Sequence, residues 1–180
     1  HDNLTFWDKL SISNEADSEE DRRKMNKLGS AIIYTSQGVP FMQAGEEMLR
    51  SKPSATVEGG YDENSYCSPD STNSIKWDNK ANVSDTYEYY KGLISFRKAH
   101  PALRMTDAQL VKDSIKPLGG LEFNVCAYQI QPANGEESEG LVVIFNPRAA
   151  ATTVELPEGE WTIYVQGDKA ASGHLRCLSV

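Results

Sequence analysis

The sequence has few cysteines and no long apolar run. Cys67, Cys126 and Cys177 are its three cysteines, far apart and without a CxxC pair. This spacing argues against a disulfide framework or a zinc site, and it favours a cytoplasmic compartment over a secreted one. No apolar stretch approaches the roughly 20 residues that a membrane-spanning helix needs. We therefore expect no membrane partner.

Basic residues are also in the minority, with 18 Lys and Arg against 26 Asp and Glu, for a net charge of −8. A chain of this charge repels the phosphate backbone of nucleic acids on average, so we expect no nucleic-acid partner. The sequence also lacks an initial methionine and begins at His1-Asp2-Asn3. We expect a segment of a longer protein that starts next to functional residues. An imidazole next to a carboxylate can bind a polar ligand and stabilise its charge.

The first hundred residues have the periodicity of an α/β structure. Residues 17–36 predict a helix that is capped by Asp17, with Glu20 as its capping-box partner. Its predicted apolar stripe contains Met25, Leu28, Ala31, Ile32 and Ile33. A second helix is predicted from Ser84 up to His100-Pro101.

Two segments between these helices have a different composition. The run VPFMQAG at 39–45 predicts a brief buried strand. Residues 51–83, which we call the 51–83 loop, are rich in Gly, Ser, Asn, Asp and Pro. A loop of this length in a compact domain is uncommon and often functional.

The periodicity changes from 3.6 to 2 near residue 105. Short β-rich runs separated by Gly-containing turns predict an antiparallel β-sandwich. These runs are 121–130, 141–146, 152–156 and 161–165. The predicted fold class is α/β followed by all-β, with domains at 1–104 and 105–180.

Five segments, in this order, resemble the C-terminal third of the α-amylase superfamily of glycoside hydrolases, most closely the type I pullulanases. They are HDN (1–3), SQGVPFMQAGEE (36–47), NSYCSPDSTNSIKW (64–77), YYKGLISFRKAHPALR (89–104) and VELPEGEW (154–161). The resemblance implies that 1–104 is the C-terminal segment of a (β/α)8 TIM barrel and that 39–45 is its eighth strand. It implies that 105–180 is the C-terminal β-sandwich, which the chain is expected not to complete.

The resemblance also implies roles for individual residues. The family cleaves glycosidic bonds with retention, using a carboxylate nucleophile and an acid/base that lie upstream of this segment, so the isolated chain is expected to be inactive. Asp2 matches the third carboxylate, which stabilises the oxocarbenium-like transition state, and His1 matches a histidine that binds the sugar. Other substrate-binding side chains are expected to be Asn3, Arg50, Asn64, Tyr66, Asp70 and Asn73. Glu46 and Glu47 are adjacent, so their side chains should point apart, and we expect neither to be catalytic.

The expected partners are an α-glucan with α-1,6 branches, the upstream remainder of the barrel, and a second copy that would cover exposed helix faces. No cofactor is implied; calcium occurs in the wider family, but no specific cluster of oxygen ligands is recognisable here. Another superfamily enzyme, such as an isoamylase or a branching enzyme, is an alternative. A non-catalytic carbohydrate-binding or structural module at 105–180 is a second alternative, but it leaves HDN and AGEE unexplained.

Overall fold

The computed structural model describes residues 3–171 and 176–179, so His1 and Asp2 lie outside the described residues. Helices and short helical turns precede the strands along the chain. The helices are α1 (Phe6–Ser13), α2 (Glu19–Thr35), α3 (Asp70–Asn73), α4 (Asn79–Asn82), α5 (Ser84–Ala99) and α6 (Ala108–Ser114), with 3₁₀ turns at Glu46–Met48, Ser65–Cys67 and Pro101–Arg104. The strands are β1 (Ile115–Pro117), β2 (Cys126–Ile130), β3 (Leu141–Phe145), β4 (Glu160–Ile163), β5 (Val165–Gln166), β6 (Lys169–Ala170) and β7 (Arg176–Ser179).

The chain forms two compact units. The first contains residues 1–27 and 41–90, and the second contains residues 28–40 and 91–180. The core of the second unit is a buried apolar cluster on the segment after α5 and on strands β2 and β3. Its buried members are Ala102, Leu103, Met105, Ile130, Leu141 and Val143. The predicted domain boundary between residues 104 and 105 stays a prediction.

The predicted cap of α2 was wrong by one residue. Ser18 Oγ accepts a hydrogen bond from the Asp21 amide at 3.1 Å and donates to Asp21 Oδ2 at 2.7 Å. The residue that caps α2 is therefore Ser18, paired with Asp21, instead of Asp17 paired with Glu20. A serine hydroxyl can accept and donate at once, which lets it bind both groups of Asp21.

The buried face of α2 also differs from the predicted apolar stripe. Ile32 and Ile33 are exposed, whereas Asn26 and Lys27 are buried. Tyr90 Oη donates to Asn26 Oδ1 at 3.1 Å, and Lys27 Nζ donates to Asp85 Oδ2 at 2.7 Å. Polar partners on α5 thus make a polar face of α2 suitable for burial.

The strand predicted at 39–45 is absent. Residues 39–43 have no regular structure, and Val39 and Phe41 are 96% and 89% exposed. A strand is stabilised by hydrogen bonds to a neighbouring strand, and no strand of the described residues pairs with this segment. Apolar composition alone therefore does not produce a strand here.

The exit from α2 is instead held by Arg97, a buried side chain of α5. Its guanidinium donates to the carbonyl oxygens of Tyr34, Ser36 and Gly38 at 2.9, 2.7 and 2.6 Å. The last carbonyls of a helix have no intrahelical partner, and a planar guanidinium presents several donors at fixed angles. One side chain therefore binds a carbonyl in the last turn of α2 and two carbonyls in the segment directly after it.

The predicted second helix is confirmed, since α5 begins at Ser84 and ends at Ala99, before His100-Pro101. Gly92 in its middle permits a close approach of β6. A Cβ at this position would lie 2.2 Å from the Ala170 carbonyl oxygen. Glycine normally weakens a helix interior, so its value here is the space that it leaves for a neighbouring backbone.

All described strand pairs are antiparallel, but the strands are short and do not coincide fully with the predicted runs. The sheets are β1-β2-β3, β4-β7 and β5-β6, and β2 pairs with β3 from Cys126 opposite Phe145 to Ile130 opposite Leu141. The run 121–130 is a strand only from Cys126 onward, because Asn124 has a φ of 68° and interrupts the extended backbone. The predicted strand at 152–156 does not form.

A helix that was not predicted, α6, precedes β1. Asp107 caps it by accepting a hydrogen bond from the Leu110 amide at 2.7 Å. The Asp107 side chain was a recognisable N-cap signal in the sequence. The change of period near residue 105 therefore marks a region of mixed structure and not the start of continuous β-structure.

A buried acid–histidine pair predicts the response of the second unit to pH. His100 Nδ1 lies 2.9 Å from Glu136 Oε1, and the two side chains are 10% and 2% exposed. Burial raises the pKa of Glu136. Hydrogen bonds from His100, Ser138 and the Ala102 amide together lower the pKa by more than burial raises it, so the folded-state pKa lies below the ordinary value of 4.5. Glu136 thus contributes stability above about pH 4.5, and this contribution is lost as the pH falls through its folded-state pKa.

The free energy of unfolding should fall as the pH is lowered from about 6 to about 3. We expect this fall to be smaller in Glu136→Gln than in the wild type. Chemical denaturation at several pH values measures this slope. Glu137→Gln, at an exposed neighbour, is the matched control and should keep the wild-type slope. An unchanged slope in Glu136→Gln would contradict the assignment.

Candidate functional site

The candidate site combines the segment that begins the chain with the 51–83 loop, both in the first compact unit. The predicted catalytic residue Asp2 and its neighbour His1 lie outside the described residues. Asn3 is exposed, and its Oδ1 accepts a hydrogen bond from the Leu4 amide at 2.8 Å. Its predicted contact with substrate stays a prediction.

Helix α1 starts directly after this segment. Thr5 is its N-cap, with Oγ1 accepting from the Asp8 amide at 3.1 Å. The Asp8 side chain is completely buried, and its Oδ2 accepts from the Lys52 amide at 2.8 Å. Among the described residues, Asp8 Oδ1 has no hydrogen-bond partner. A buried carboxylate thus links α1 to the start of the 51–83 loop.

The 51–83 loop is not structureless, because its own side chains hold it together. Lys52 Nζ donates to Ser65 Oγ at 2.7 Å. Asn73 Nδ2 donates to the carbonyl oxygens of Ser65 and Ser68 at 2.6 and 2.9 Å, and Thr72 Oγ1 donates to the carbonyl oxygen of Pro53 at 2.9 Å. Three short helical elements, Ser65–Cys67, α3 and α4, complete its backbone structure.

Arg50, just before the loop, is a second link to it. Its Nη2 donates to the Asn73 carbonyl at 2.6 Å, and its Nη1 donates to the Ala44 carbonyl at 3.1 Å. Its side chain covers Gly45, which has a φ of 96°. A Cβ added at this glycine would lie 3.0 Å from Arg50 Cβ. Arg50 and Asn73 therefore shape the loop, whereas the sequence predicted only their contact with substrate, which stays a prediction.

The other predicted side chains of the loop, Asn64, Tyr66 and Asp70, are exposed. Tyr66 is 84% exposed, and Trp77 on the same loop is 69% exposed. Aromatic rings on a polar surface are suited to stacking on sugar faces. Sequence reasoning did not single out Trp77, although it is the last residue of NSYCSPDSTNSIKW.

The adjacent acids before the loop have separate environments. Burial raises the pKa of Glu46, and the negative charge of Glu47 raises it as well, against a lowering contribution from the Gln43 backbone. Glu47 Oε2 accepts from the Gly45 amide at 3.2 Å, so it has a structural partner. We assign no proton transfer to this pair.

The described ranges, 3–171 and 176–179, contain no group of three or more His, Cys, Asp or Glu side chains that could hold a metal ion. The expectation of no cofactor stays a prediction. In the same ranges, no helix is both long enough and apolar enough to cross a membrane. Cys67, Cys126 and Cys177 are all free and exposed.

Comparison with known proteins shows what this chain is similar to. A family model described as "Pullulanase, all-beta domain" matches residues 111–169. A pullulanase of Bacillus subtilis (strain 168) is 34% identical over 158 residues, which are 87% of this chain and 21% of that relative. The structure of a pullulanase from Bacillus acidopullulyticus is 41% identical with a TM-score of 0.90, covering 98% of this chain and 21% of that one. The chain is thus similar to a C-terminal region of type I pullulanases.

Further matches agree with this similarity. A pullulanase of Paenibacillus barengoltzii, solved with maltohexaose and alpha-cyclodextrin, is 35% identical with a TM-score of 0.82 over 91% of this chain and 24% of that one. An isoamylase of a Flavobacterium species is 28% identical over 157 residues, 76% of this chain and 19% of the isoamylase. The chain thus spans about a fifth of the length of the curated relatives that it matches.

Proposed function

We propose that this chain is part of a retaining glycoside hydrolase that cleaves α-1,6 branch linkages in pullulan, starch or glycogen-type α-glucans. The observation that supports this most strongly is the likeness to pullulanases along nearly the whole chain, in sequence and in structure. In this proposal residues 1–104 are the end of a (β/α)8 barrel and residues 105–180 belong to a β-sandwich. The antiparallel strands of the second unit are consistent with such a sandwich.

The proposed mechanism gives Asp2 the task of stabilising the transition state. The nucleophile and the acid/base, which the upstream barrel would supply, break the glycosidic bond in two steps. Positive charge develops on the anomeric carbon and the ring oxygen, and a fixed carboxylate stabilises this charge more than it stabilises the ground state. His1 would hydrogen-bond a sugar hydroxyl in the cleavage subsite. This chemistry requires no cofactor.

The proposed substrate surface is the 51–83 loop. The complex of the Paenibacillus barengoltzii pullulanase with maltohexaose supports an α-glucan as the ligand. Exposed Tyr66 and Trp77 offer rings, and exposed Asn64 and Asp70 offer hydrogen-bonding groups, as binding of a sugar chain requires. Asn3, Arg50 and Asn73 complete the proposed set.

The remaining proposed partners concern protein surfaces. Val39 and Phe41 are almost fully exposed, and each large apolar side chain left in water forgoes about 1.5 to 3 kcal/mol. We propose that the upstream part of the barrel covers this segment in the full-length protein. In its absence, a second copy of the chain would cover it.

An isoamylase-type enzyme is the second candidate function, supported by the match to the Flavobacterium isoamylase. Both candidates cleave α-1,6 linkages, but they differ in the glucans on which they act. The relative rates on pullulan and on glycogen therefore separate them.

The test uses the full-length protein that contains this segment. We expect it to release reducing ends from pullulan, while the isolated 180-residue chain should release none, because the proposal places the nucleophile and the acid/base in the upstream barrel. A full-length protein that binds pullulan without cleaving any α-glucan would contradict the enzyme and favour a carbohydrate-binding module. Rapid cleavage of glycogen with no action on pullulan would favour the isoamylase alternative.

A further inference from the structure

We propose that Asp8 is a positioning residue that fixes the 51–83 loop relative to helix α1; this rests on the proposed function. Asp8 lies six residues after Asp2 in the sequence and is completely buried on α1. Burial prevents it from touching a glucan, so any effect on the reaction must act through its contacts. Its carboxylate accepts a hydrogen bond that crosses from α1 to the loop, from the Lys52 amide at 2.8 Å.

The position of Asp8 is itself fixed from the N-terminal side. Thr5 Oγ1 accepts from the Asp8 amide, and Thr5 is buried. Only Asn3 and Leu4 separate Thr5 from Asp2 along the chain. The buried N-cap of α1 therefore fixes the Asp8 backbone from its N-terminal side.

Lys52 connects Asp8 through its side chain to a more distant part of the loop. Its amide binds Asp8, and its Nζ donates to Ser65 Oγ at 2.7 Å. Ser65 is buried and directly precedes Tyr66, a predicted substrate residue that is 84% exposed. Asn73 holds the same turn by donating to the Ser65 carbonyl at 2.6 Å. A displacement of Lys52 would thus reach the turn that presents Tyr66.

Two substitutions at Asp8 can distinguish the effect of its hydrogen bond to Lys52 from the effect of its negative charge. Only Oδ2 has a partner among the described residues, and that partner is a neutral amide. An asparagine carbonyl can accept the same bond at the same place, whereas leucine has a similar size and cannot accept any bond. A buried carboxylate that has only one hydrogen bond is costly for stability, so its value must lie in positioning.

The experiment compares Asp8→Leu and Asp8→Asn in the full-length protein, with Asp17→Leu at an exposed aspartate as the matched control. We expect Asp8→Leu to lower kcat/KM on pullulan by about tenfold to 100-fold, mostly by raising KM, because a displaced binding loop misaligns the substrate. Asp8→Asn should restore kcat/KM to within about threefold of the wild type. Hydrogen exchange of residues 52–66 should accelerate in Asp8→Leu and not in Asp8→Asn.

Three outcomes would overturn the proposal: unchanged exchange in Asp8→Leu, faster exchange with unchanged kinetics, or an Asp8→Asn variant as impaired as Asp8→Leu. If Asp8→Leu does not fold, Ser65→Ala removes the next bond of the link more gently and should raise KM at unchanged melting temperature; an unchanged KM would overturn the proposal. A wild-type protein that cleaves no α-glucan would instead overturn the proposed function.

Discussion

Replacing Asp2 by asparagine in the full-length protein is expected to lower kcat on pullulan by about 100-fold or more while the fold is kept. The substitution preserves size and hydrogen bonding but removes the negative charge. Since the developing positive charge exists only in the transition state, kcat should fall more than the affinity for substrate. Initial rates over a range of pullulan concentrations measure both quantities.

The control for this substitution is Asp17→Asn, which removes a charge from an exposed aspartate of the same segment. It should leave kcat and KM at their wild-type values. Near-normal turnover in Asp2→Asn would remove Asp2 from the mechanism, and it would also weaken the alignment of HDN with the family motif. Thermal unfolding of both variants verifies that any loss of activity is not a loss of structure.

Replacing Arg97 by methionine is expected to lower the free energy of unfolding of the chain by about 2 to 4 kcal/mol. The methionine fills much of the same volume but leaves the carbonyl groups of Tyr34, Ser36 and Gly38 without their donor. An unsatisfied buried carbonyl costs roughly 1 to 3 kcal/mol, and groups nearer the solvent recover part of that from water. Chemical denaturation followed by circular dichroism measures the change.

Two further variants make the Arg97 test specific. Lys98→Met removes a neighbouring positive charge from an exposed position of α5 and should change stability by no more than about 0.5 kcal/mol. Arg97→Lys retains the charge without the planar group of donors, so we expect an intermediate loss. Equal stability of Arg97→Met and the wild type would show that the three bonds are not needed to end α2.

The sequence by itself determined the elements whose signals are local. Helix α5 begins at Ser84 and ends before Pro101, as predicted, because a proline stops a helix whatever surrounds it. Strand β3 was likewise recognisable from the run that starts at Leu141. The family was also recognisable, because several short motifs occur in order along one chain. None of these signals depends on a distant contact.

The tertiary structure decided everything that depends on a partner distant in sequence. The apolar run at 39–45 forms no strand, because no strand of the described residues pairs with it. The substrate contact of Arg50 and Asn73 stays a prediction, and only the structure shows that donors of both side chains bind loop carbonyls. The buried Asp8 carboxylate has its partner in Lys52, 44 positions along the chain. Glycine is needed at position 92 because of Ala170, 78 positions along the chain. The physical reason is that hydrogen-bond partners and close approaches are properties of the packed chain, which residue types alone do not encode.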